Sequence, residues 1–317
     1  MRRFLDPRSD IVFKRIFGEH PEILREFLNH ILPFASEDEH IASLEYLPAE
    51  QVPQVPLLKN SIVDVRCRDA RGRQFIVEMQ MAFTTAFMQR VLFNASKAYV
   101  RQLDRAERYE SLCPVYGLSL LDDVFDRETD NYYHDYRLVE SEEPRRVLEG
   151  LRLVFIELPK FRESRPRQAR LLRWAWLKFL KEAGDAGEPG HPGPEEFRAE
   201  VGVSAPLNQA LDIAEECGLD AASLERYERF WDSVRVERTL LHAKHDEGRE
   251  EGRKEGREEG RKEGRKEGRK EGERIGMEAG REEKQLEIAA ALKRRGGLGD
   301  AEIAAITGLS EKRVGEL

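Results

Sequence analysis

Cysteine is scarce in this chain, with three residues among 317, at positions 67, 113 and 217. None belongs to a Cys-x-x-Cys or Cys/His arrangement with the spacing of a zinc site. The odd count and the wide spacing argue against a disulfide scaffold and favour a reducing cytosol. The seven histidines show no metal-binding spacing either; only His242 and His245 lie close together, as expected of a solvated pair on a helix.

Long apolar runs are also missing. No stretch approaches the ~18 consecutive apolar residues that indicate a membrane span. The first ten residues, MRRFLDPRSD, have basic side chains but lack the apolar centre of a secretory signal. There is no P-loop and no nucleophile elbow with a Ser/His/Asp set. We therefore expect a cytoplasmic protein with no membrane partner.

The chain has no overall excess of basic residues, because its formal net charge is -8. That value does not indicate a nucleic-acid-binding protein, but such binding depends on local patches rather than on total charge. Residues 56–110 contain ten lysines and arginines against six acidic residues. Positive charge is thus concentrated around one segment.

That segment includes residues 60–80, NSIVDVRCRDARGRQFIVEMQ, which predict a β-hairpin. Gly72 can adopt the positive φ of a three-residue turn, and pairing symmetric about Arg71 places Asp64 directly across from Glu78. Strand alternation puts Gln80 on the same face as Glu78. The opposite face would carry Val63, Val65 and Cys67 in the first strand and Phe75, Val77 and Met79 in the second.

Carboxylates that face each other across a hairpin have Cβ atoms ~4.5–5.5 Å apart and repel. A divalent cation between Asp64 and Glu78 would remove this conflict, and carboxylate, water and phosphate oxygens suit Mg²⁺. Such a metal can activate water for phosphodiester hydrolysis. The alternative is that both acids face solvent and pair with Arg66 and Arg73. The pattern alone leaves both explanations open.

The rest of the chain predicts helices around a sheet. One or two helices are expected in residues 9–32, and another in residues 84–104 with an inward face of Val91, Leu92, Ala95, Ala98 and Tyr99. Three further strands are predicted in CPVYGLSLLDDVF, YHDYRLVE and LRLVFIELPKF, and more helices in RQARLLRWAWLKFLKEA and in residues 195–245.

Glycine then recurs at every fourth position from Gly248 to Gly280, and residues 247–284 contain thirteen acidic and thirteen basic side chains. Each glycine inside a helix costs about 1 kcal/mol, whereas each i,i+4 ion pair returns a few tenths. We expect a solvated spacer, or a helix that is stable only against a partner chain. In the second case the glycine stripe would support a homo-oligomer.

Residues 285–317 resemble a helix-turn-helix unit. Asp300 and Ser310 are candidate helix caps, and Gly308 suits the turn between two short helices. Lys312 and Arg313 are the candidates for contacting DNA. A small helical cap or a dimer contact is the alternative.

Five stretches in this order resemble one branch of the PD-(D/E)xK nuclease superfamily, the recombination-promoting nuclease and transposase family of bacteria. The stretches are DIVFKRIFG, IVDVRCRDARGRQFIVEMQ, RVLFNASKAYVRQL, YESLCPVYGLSLL and LRLVFIELPKF, and the similarity covers roughly residues 5–240. The segment EGREEGRKEG is also typical of such proteins.

The resemblance implies an α/β fold: a PD-(D/E)xK restriction-endonuclease-like mixed sheet flanked by helices, with a helical C-terminal extension. It implies a Mg²⁺-dependent DNA endonuclease, with Mn²⁺ as a possible substitute. Asp64, Glu78 and the Met79 carbonyl would hold the metal. Gln80 stands where the superfamily has a lysine, so it offers a dipole instead of a positive charge. Lys97 could supply the missing charge, or could be a solvated helix lysine.

Other residues are secondary candidates. Asp10 and Lys14 fall in the family's N-terminal motif, although Asp10 could instead be a helix N-cap. An acid of the first helix could orient the metal, for which Glu19, Glu22 and Glu26 are candidates. Arg90 and Gln102 are candidates for contacting DNA phosphate.

Four segments are expected: a nuclease-like core in residues 1–165, a helical subdomain in 166–246, the charged spacer in 247–284 and the helix-turn-helix-like unit in 285–317. The leading hypothesis is a metal-dependent endonuclease that promotes DNA recombination. The alternative is a non-catalytic DNA-binding or protein-interaction module on a degenerate nuclease fold.

Overall fold

The structure is a computed structural model that describes residues 3–51, 61–103, 108–215 and 220–317. They form two compact units, Met1–Arg238 and Thr239–Leu317. Cys217 lies outside the described residues, and so do the side chains of His242 and His245. The finer division into four segments stays a prediction.

The first unit contains most of the secondary structure, in the following bounds. Its helices are α1 (Asp10–Phe17), α2 (Pro21–Ile31), α3 (Thr85–Val100), α4 (Leu171–Glu182), α5 (Pro194–Val201), α6 (Ala205–Ala214) and the start of α7 (Ala221–Arg295). Its strands are β1 (Leu44–Tyr46), β2 (Glu50–Gln51), β3 (Ser61–Ile62), β4 (Val65–Asp69), β5 (Gln74–Gln80), β6 (Val115–Leu121), β7 (Tyr133–Val139) and β8 (Val147–Glu157).

Six strands form one mixed sheet in the order β1-β4-β5-β6-β8-β7. The central strands β5, β6 and β8 are parallel, and the remaining neighbours pair antiparallel. β2 and β3 form a separate two-stranded ladder. This mixed sheet with flanking helices confirms the expected α/β fold.

The sheet is covered on both faces, which explains why all seven residues of β6 are buried. On one face, α1, α2, α4, α5 and α6 enclose the main core, where Phe17, Phe27 and Trp176 contact one another. On the other face, α3 packs its buried residues Val91, Ala95 and Ala98 against the strands. The predicted inward position of Leu92 is wrong, because its side chain is 43% exposed.

The hairpin has the expected register, which runs from Val65 opposite Val77 to Arg68 opposite Gln74. Gly72 adopts φ +82°, as the turn requires. The expected alternation is wrong at the start of the first strand, because the ladder begins only at Val65 and Asp64 lies in a bend.

The bend changes the face on which the preceding side chain lies. Val63 packs with Ile76 and Ala95 on the α3 side, whereas Val65 and Cys67 pack in the main core. The strand therefore switches faces at Asp64.

In the second unit, α7 continues and is followed by α8 (Asp300–Thr307) and α9 (Glu311–Gly315). Ser310 caps α9 by accepting a hydrogen bond from the Arg313 N–H, and Gly308 has φ +73°, both as expected. The predicted caps Asp300 and Asp10 are wrong: each is the first residue of its helix, and Gly299 and Ser9 take the cap positions.

The glycine-periodic segment lies within α7 and is exposed throughout. Ion pairs between side chains four residues apart run along it, such as Glu250 with Lys254 at 3.1 Å. In the described part of the chain, no helix is long and apolar enough to cross a membrane.

Candidate active site

Two acidic side chains meet where β5 ends and β4 begins. Glu78 lies on β5 and is 6% exposed, while Asp64 occupies the bend before β4. Asp64 Oδ2 accepts a hydrogen bond of 2.8 Å from the backbone N–H of Met79. The N–H and C=O of one strand residue point to the same side, so the Met79 carbonyl also faces the side of Asp64.

Glu78 is held by the helix that covers it. Its Oε1 atom accepts a hydrogen bond of 3.0 Å from Nδ2 of Asn94, a buried residue of α3. An Arg90 guanidinium nitrogen lies 3.8 Å from Oε2 of the same carboxylate. Asn94 was not predicted, because only the packing of α3 on the sheet brings it to β5.

Gln80, the third predicted residue of the motif, is fixed at both ends of its amide. Its oxygen accepts a hydrogen bond of 2.8 Å from Arg90, and its nitrogen donates to the carbonyl of Ala82 at 2.8 Å. The guanidinium of Arg90 therefore stands beside both Gln80 and Glu78.

Helix α1 contributes a second pair of charges. The Lys14 ammonium lies 2.6 Å from Oδ1 of Asp10 and 3.9 Å from Oδ1 of Asp64. The acid of α1 that approaches the site is thus Asp10. The three glutamates considered for this position are occupied elsewhere or exposed: Glu22 pairs with Arg25, Glu26 accepts from Trp176 and Ser204, and Glu19 is exposed.

Burial raises the pKa of both carboxyl groups above their usual values. For Asp64, the Met79 N–H and Lys14 oppose this rise, while Asp10 adds to it. For Glu78, the Asn94 amide and Arg90 oppose the rise, while Asp64 adds to it. Both carboxylates are thus desolvated and repelled by nearby acids, which a bound cation would relieve.

A family model described as PD-(D/E)XK nuclease family transposase matches residues 7–234, and this range includes α1, the hairpin and α3. The chain belongs to this family. The match confirms the resemblance drawn from the sequence motifs. Searches of curated proteins and of solved structures gave no significant match. PD-(D/E)XK nucleases generally depend on divalent metals, and a nuclease family implies DNA as substrate.

The donor set at the site fits a magnesium ion. In the described ranges, no group of three or more His, Cys, Asp and Glu side chains could hold a metal. Mg²⁺ does not need such a cage, because it keeps several waters and commonly takes only one or two carboxylates. Asp64, Glu78 and the carbonyl of Met79 supply oxygen atoms of that kind.

The two remaining predicted contacts are Lys97, farther along α3, and Gln102, just beyond its end. Lys97 follows Asn94 by one turn; its ammonium is 5.8 Å from the centroid of the Phe93 ring, and its pKa is lowered by burial and by the neighbouring Arg101. Its catalytic role stays a prediction. Gln102 uses its amide to bind the backbone of Cys113 in both directions, at 2.8 and 2.9 Å, which fixes the loop before β6.

Proposed function

We propose that this protein is a divalent-metal-dependent DNA endonuclease that acts in the cytoplasm. One observation carries the proposal: Asp64 and Glu78, two desolvated carboxylates, converge beside Met79 on the hairpin of a PD-(D/E)XK fold. Breaks made by such an enzyme would promote DNA recombination, in keeping with the family.

In this proposal Asp64, Glu78 and the Met79 carbonyl hold Mg²⁺, or Mn²⁺ in its place. A bound ion would lower the pKa of a water and stabilise negative charge on the phosphate. The Met79 N–H orients the Asp64 carboxylate, and the Asn94 amide orients that of Glu78. These hydrogen bonds fix the ligand oxygens before the ion arrives, which reduces the reorganisation that binding requires.

The positive charge of the missing lysine needs another source. Gln80 supplies only hydrogen bonds, whereas Arg90 carries a permanent charge 2.8 Å from the Gln80 oxygen. We assign Arg90 the task of stabilising charge on the phosphate while Gln80 positions it or the attacking water. Lys97 is the second candidate for this charge, since it lies on the same helix.

Gln80 also supports a second candidate function, a non-catalytic DNA-binding or interaction module on a degenerate nuclease fold. A glutamine cannot replace the charge of a lysine, so a chain that lost cleavage could keep the fold and the binding surface. The two functions differ in whether metal-dependent cutting occurs.

Cleavage of supercoiled plasmid tests the proposal, with Mg²⁺, with Mn²⁺ and with EDTA. We expect metal-dependent nicking that falls at least ~100-fold in Asp64→Asn and Glu78→Gln, because metal ligands are lost. Arg90→Gln should fall ~10- to 1000-fold, as expected when one stabilising donor is removed. Glu143→Gln, an exposed acid in the turn between β7 and β8, is the matched control. A folded parent that cuts with neither metal would support the binding module instead.

A further inference from the structure

Polar side chains form a row on one face of α3, and this row extends away from the carboxylate pair. Arg90, Asn94, Lys97 and Arg101 follow one another at spacings of four, three and four residues, which places them in one row along the helix. Arg90 and Asn94 contact Gln80 and Glu78. Lys97 and Arg101 continue the row for about two more turns, since a turn takes 3.6 residues.

Arg66 of β4 lies on the same face of the sheet and next to this row. It stands opposite Ile76, two residues from Glu78, which corresponds to about 7 Å along the strand. One guanidinium nitrogen donates to the Gln74 oxygen at 2.8 Å. Within the described residues, the Nε atom of Arg66 is buried without a hydrogen-bond partner.

Arg66 and Arg101 lie close enough for their positive charges to repel each other. Burial and the charge of Arg101 lower the pKa of Arg66. Across the ranges that the structure describes, neither forms an ion pair. Other arginines of the hairpin are neutralised: Arg68 pairs with Glu45 at 2.9 Å, and Arg73 pairs with Asp69 at 2.7 Å.

We propose that Arg66 and Arg101 bind the phosphodiester backbone of DNA beside the position of cleavage. This inference rests on the proposed function, because it places the scissile phosphate at Asp64 and Glu78. Arginine presents planar donors that match phosphate oxygens, and among the described contacts the Arg66 guanidinium uses one terminal nitrogen, for Gln74. A negatively charged strand at this position also relieves the repulsion between the two side chains.

The position of the pair favours a DNA strand over a small anion. Arg90, whose side chain is 53% exposed, lies at the site of chemistry, and Arg101 caps the C-terminal end of the same helix, so one continuous backbone could contact both. In the sequence, both arginines belong to residues 56–110, which contain ten basic and six acidic residues in a chain whose net charge is -8. Local charge of this kind steers nucleic acids to a surface that the whole chain would repel.

The test measures binding of the full chain to a fluorescent 20-base-pair duplex in EDTA, at several salt concentrations. Neutralising one phosphate-binding residue should reduce the slope of log K against log salt by about 0.9, and neutralising both by about twice that. We therefore expect this loss in Arg66→Gln and in Arg101→Gln, with weaker binding at every salt concentration. Arg146→Gln, in the turn between β7 and β8, should behave as the parent.

Arg66 is partly buried, so its substitution could impair folding. Arg101 ends α3 at its C-cap, and Arg101→Gln decides the question alone if Arg66→Gln does not fold. Arg66→Lys should keep the salt slope, since the charge remains, and lose affinity with the planar donors. Unchanged slopes and affinities in folded Arg101→Gln and Arg66→Gln would overturn the inference.

This experiment tests the phosphate site independently of the nuclease function, because binding is measured without metal and cleavage is measured with it. Plasmid cutting by the parent, together with unchanged binding in the arginine variants, would overturn only the phosphate site. A reduced salt slope in a chain that never cuts DNA would support the phosphate site and leave the binding module as the function.

Discussion

At the scale of single residues, the candidate metal ligands carry a cost in stability. Asp64 and Glu78 both have a pKa raised by burial, so the folded chain favours their protonated forms. A carboxyl whose folded pKa exceeds its unfolded value contributes stability below the unfolded pKa, about 4, and loses that contribution as pH rises through the folded value. Above that pH window, where both groups are ionised, they oppose folding.

We therefore predict that Asp64→Asn and Glu78→Gln raise the melting temperature at pH 7–8 in EDTA. The amides keep the shape and can still accept the hydrogen bonds from Met79 and Asn94, but they carry no charge. Each kcal/mol gained is worth about 2–4 °C in a domain of this size. The difference in melting temperature should disappear below about pH 4, where both carboxyl groups of the parent protein are protonated and uncharged as well.

Thermal melts between pH 3.5 and 8 would check this, with exposed Glu143→Gln as the control that should not shift. Melting temperatures of the two amide variants that equal the parent's at pH 8 would contradict the prediction.

The same residues show what the sequence could predict about the site. The register of the hairpin followed from alternation and from symmetry about the turn, because hairpin contacts are local in sequence. The bend at Asp64 did not, since it depends on the Met79 N–H that replaces a ladder bond. The contacts of Asn94 and Asp10 arise from the packing of α3 and α1, which no local pattern determines.

At the scale of elements, α7 contains the clearest conflict between local propensity and structure. Nine glycines recur within a helix of 75 residues, and apart from the helix's own neighbouring backbone no atom of the described residues lies within 4 Å of where a Cβ would stand at any of them. Packing within the described part of the chain therefore does not require glycine at these positions. The glycines weaken the helix, and ion pairs between neighbouring turns only partly offset that cost.

We predict that Gly256→Ala, Gly260→Ala and Gly264→Ala together stabilise this part of α7 by about 3 kcal/mol, about 1 for each site. Hydrogen exchange of the full chain, read on peptides from residues 247–284, should show slower exchange. Ala279→Gly lies in the same segment and should have the opposite effect. Faster or unchanged exchange in the triple variant would mean that the glycines serve contacts with another chain.

At the scale of the whole molecule, two independent boundaries nearly coincide. The family match ends at residue 234, and the first compact unit ends at Arg238. Arg238 fixes the start of α7 to the sheet, where it bonds Oδ2 of Asp122 at 2.5 Å and the carbonyl of Met81 at 3.2 Å. Both acceptors directly follow the ends of β6 and β5, so this part of α7 belongs to the nuclease-like unit.

The sequence predicted most of this unit, because its central strands are long apolar runs and its helices have a clear periodicity. The edge strand β1 was not predicted, since its three residues lie beyond an acidic loop and before prolines. The length of α7 was not predicted either, because helix propensity is low wherever glycine recurs. Both misses concern elements with little apolar surface, for which pattern carries the least information.

We predict from these boundaries that a chain ending at residue 246 folds and keeps Asp64-dependent cleavage, because it retains Arg238 and the whole family match. Removal of residues 247–284 alone should convert a homo-oligomer to a monomer, if the glycine stripe brings helices of two copies together. Light scattering and plasmid cleavage measure the two effects separately. A full-length chain that is already monomeric would reject self-association, and a folded but inactive truncated chain would show that cleavage needs the tail.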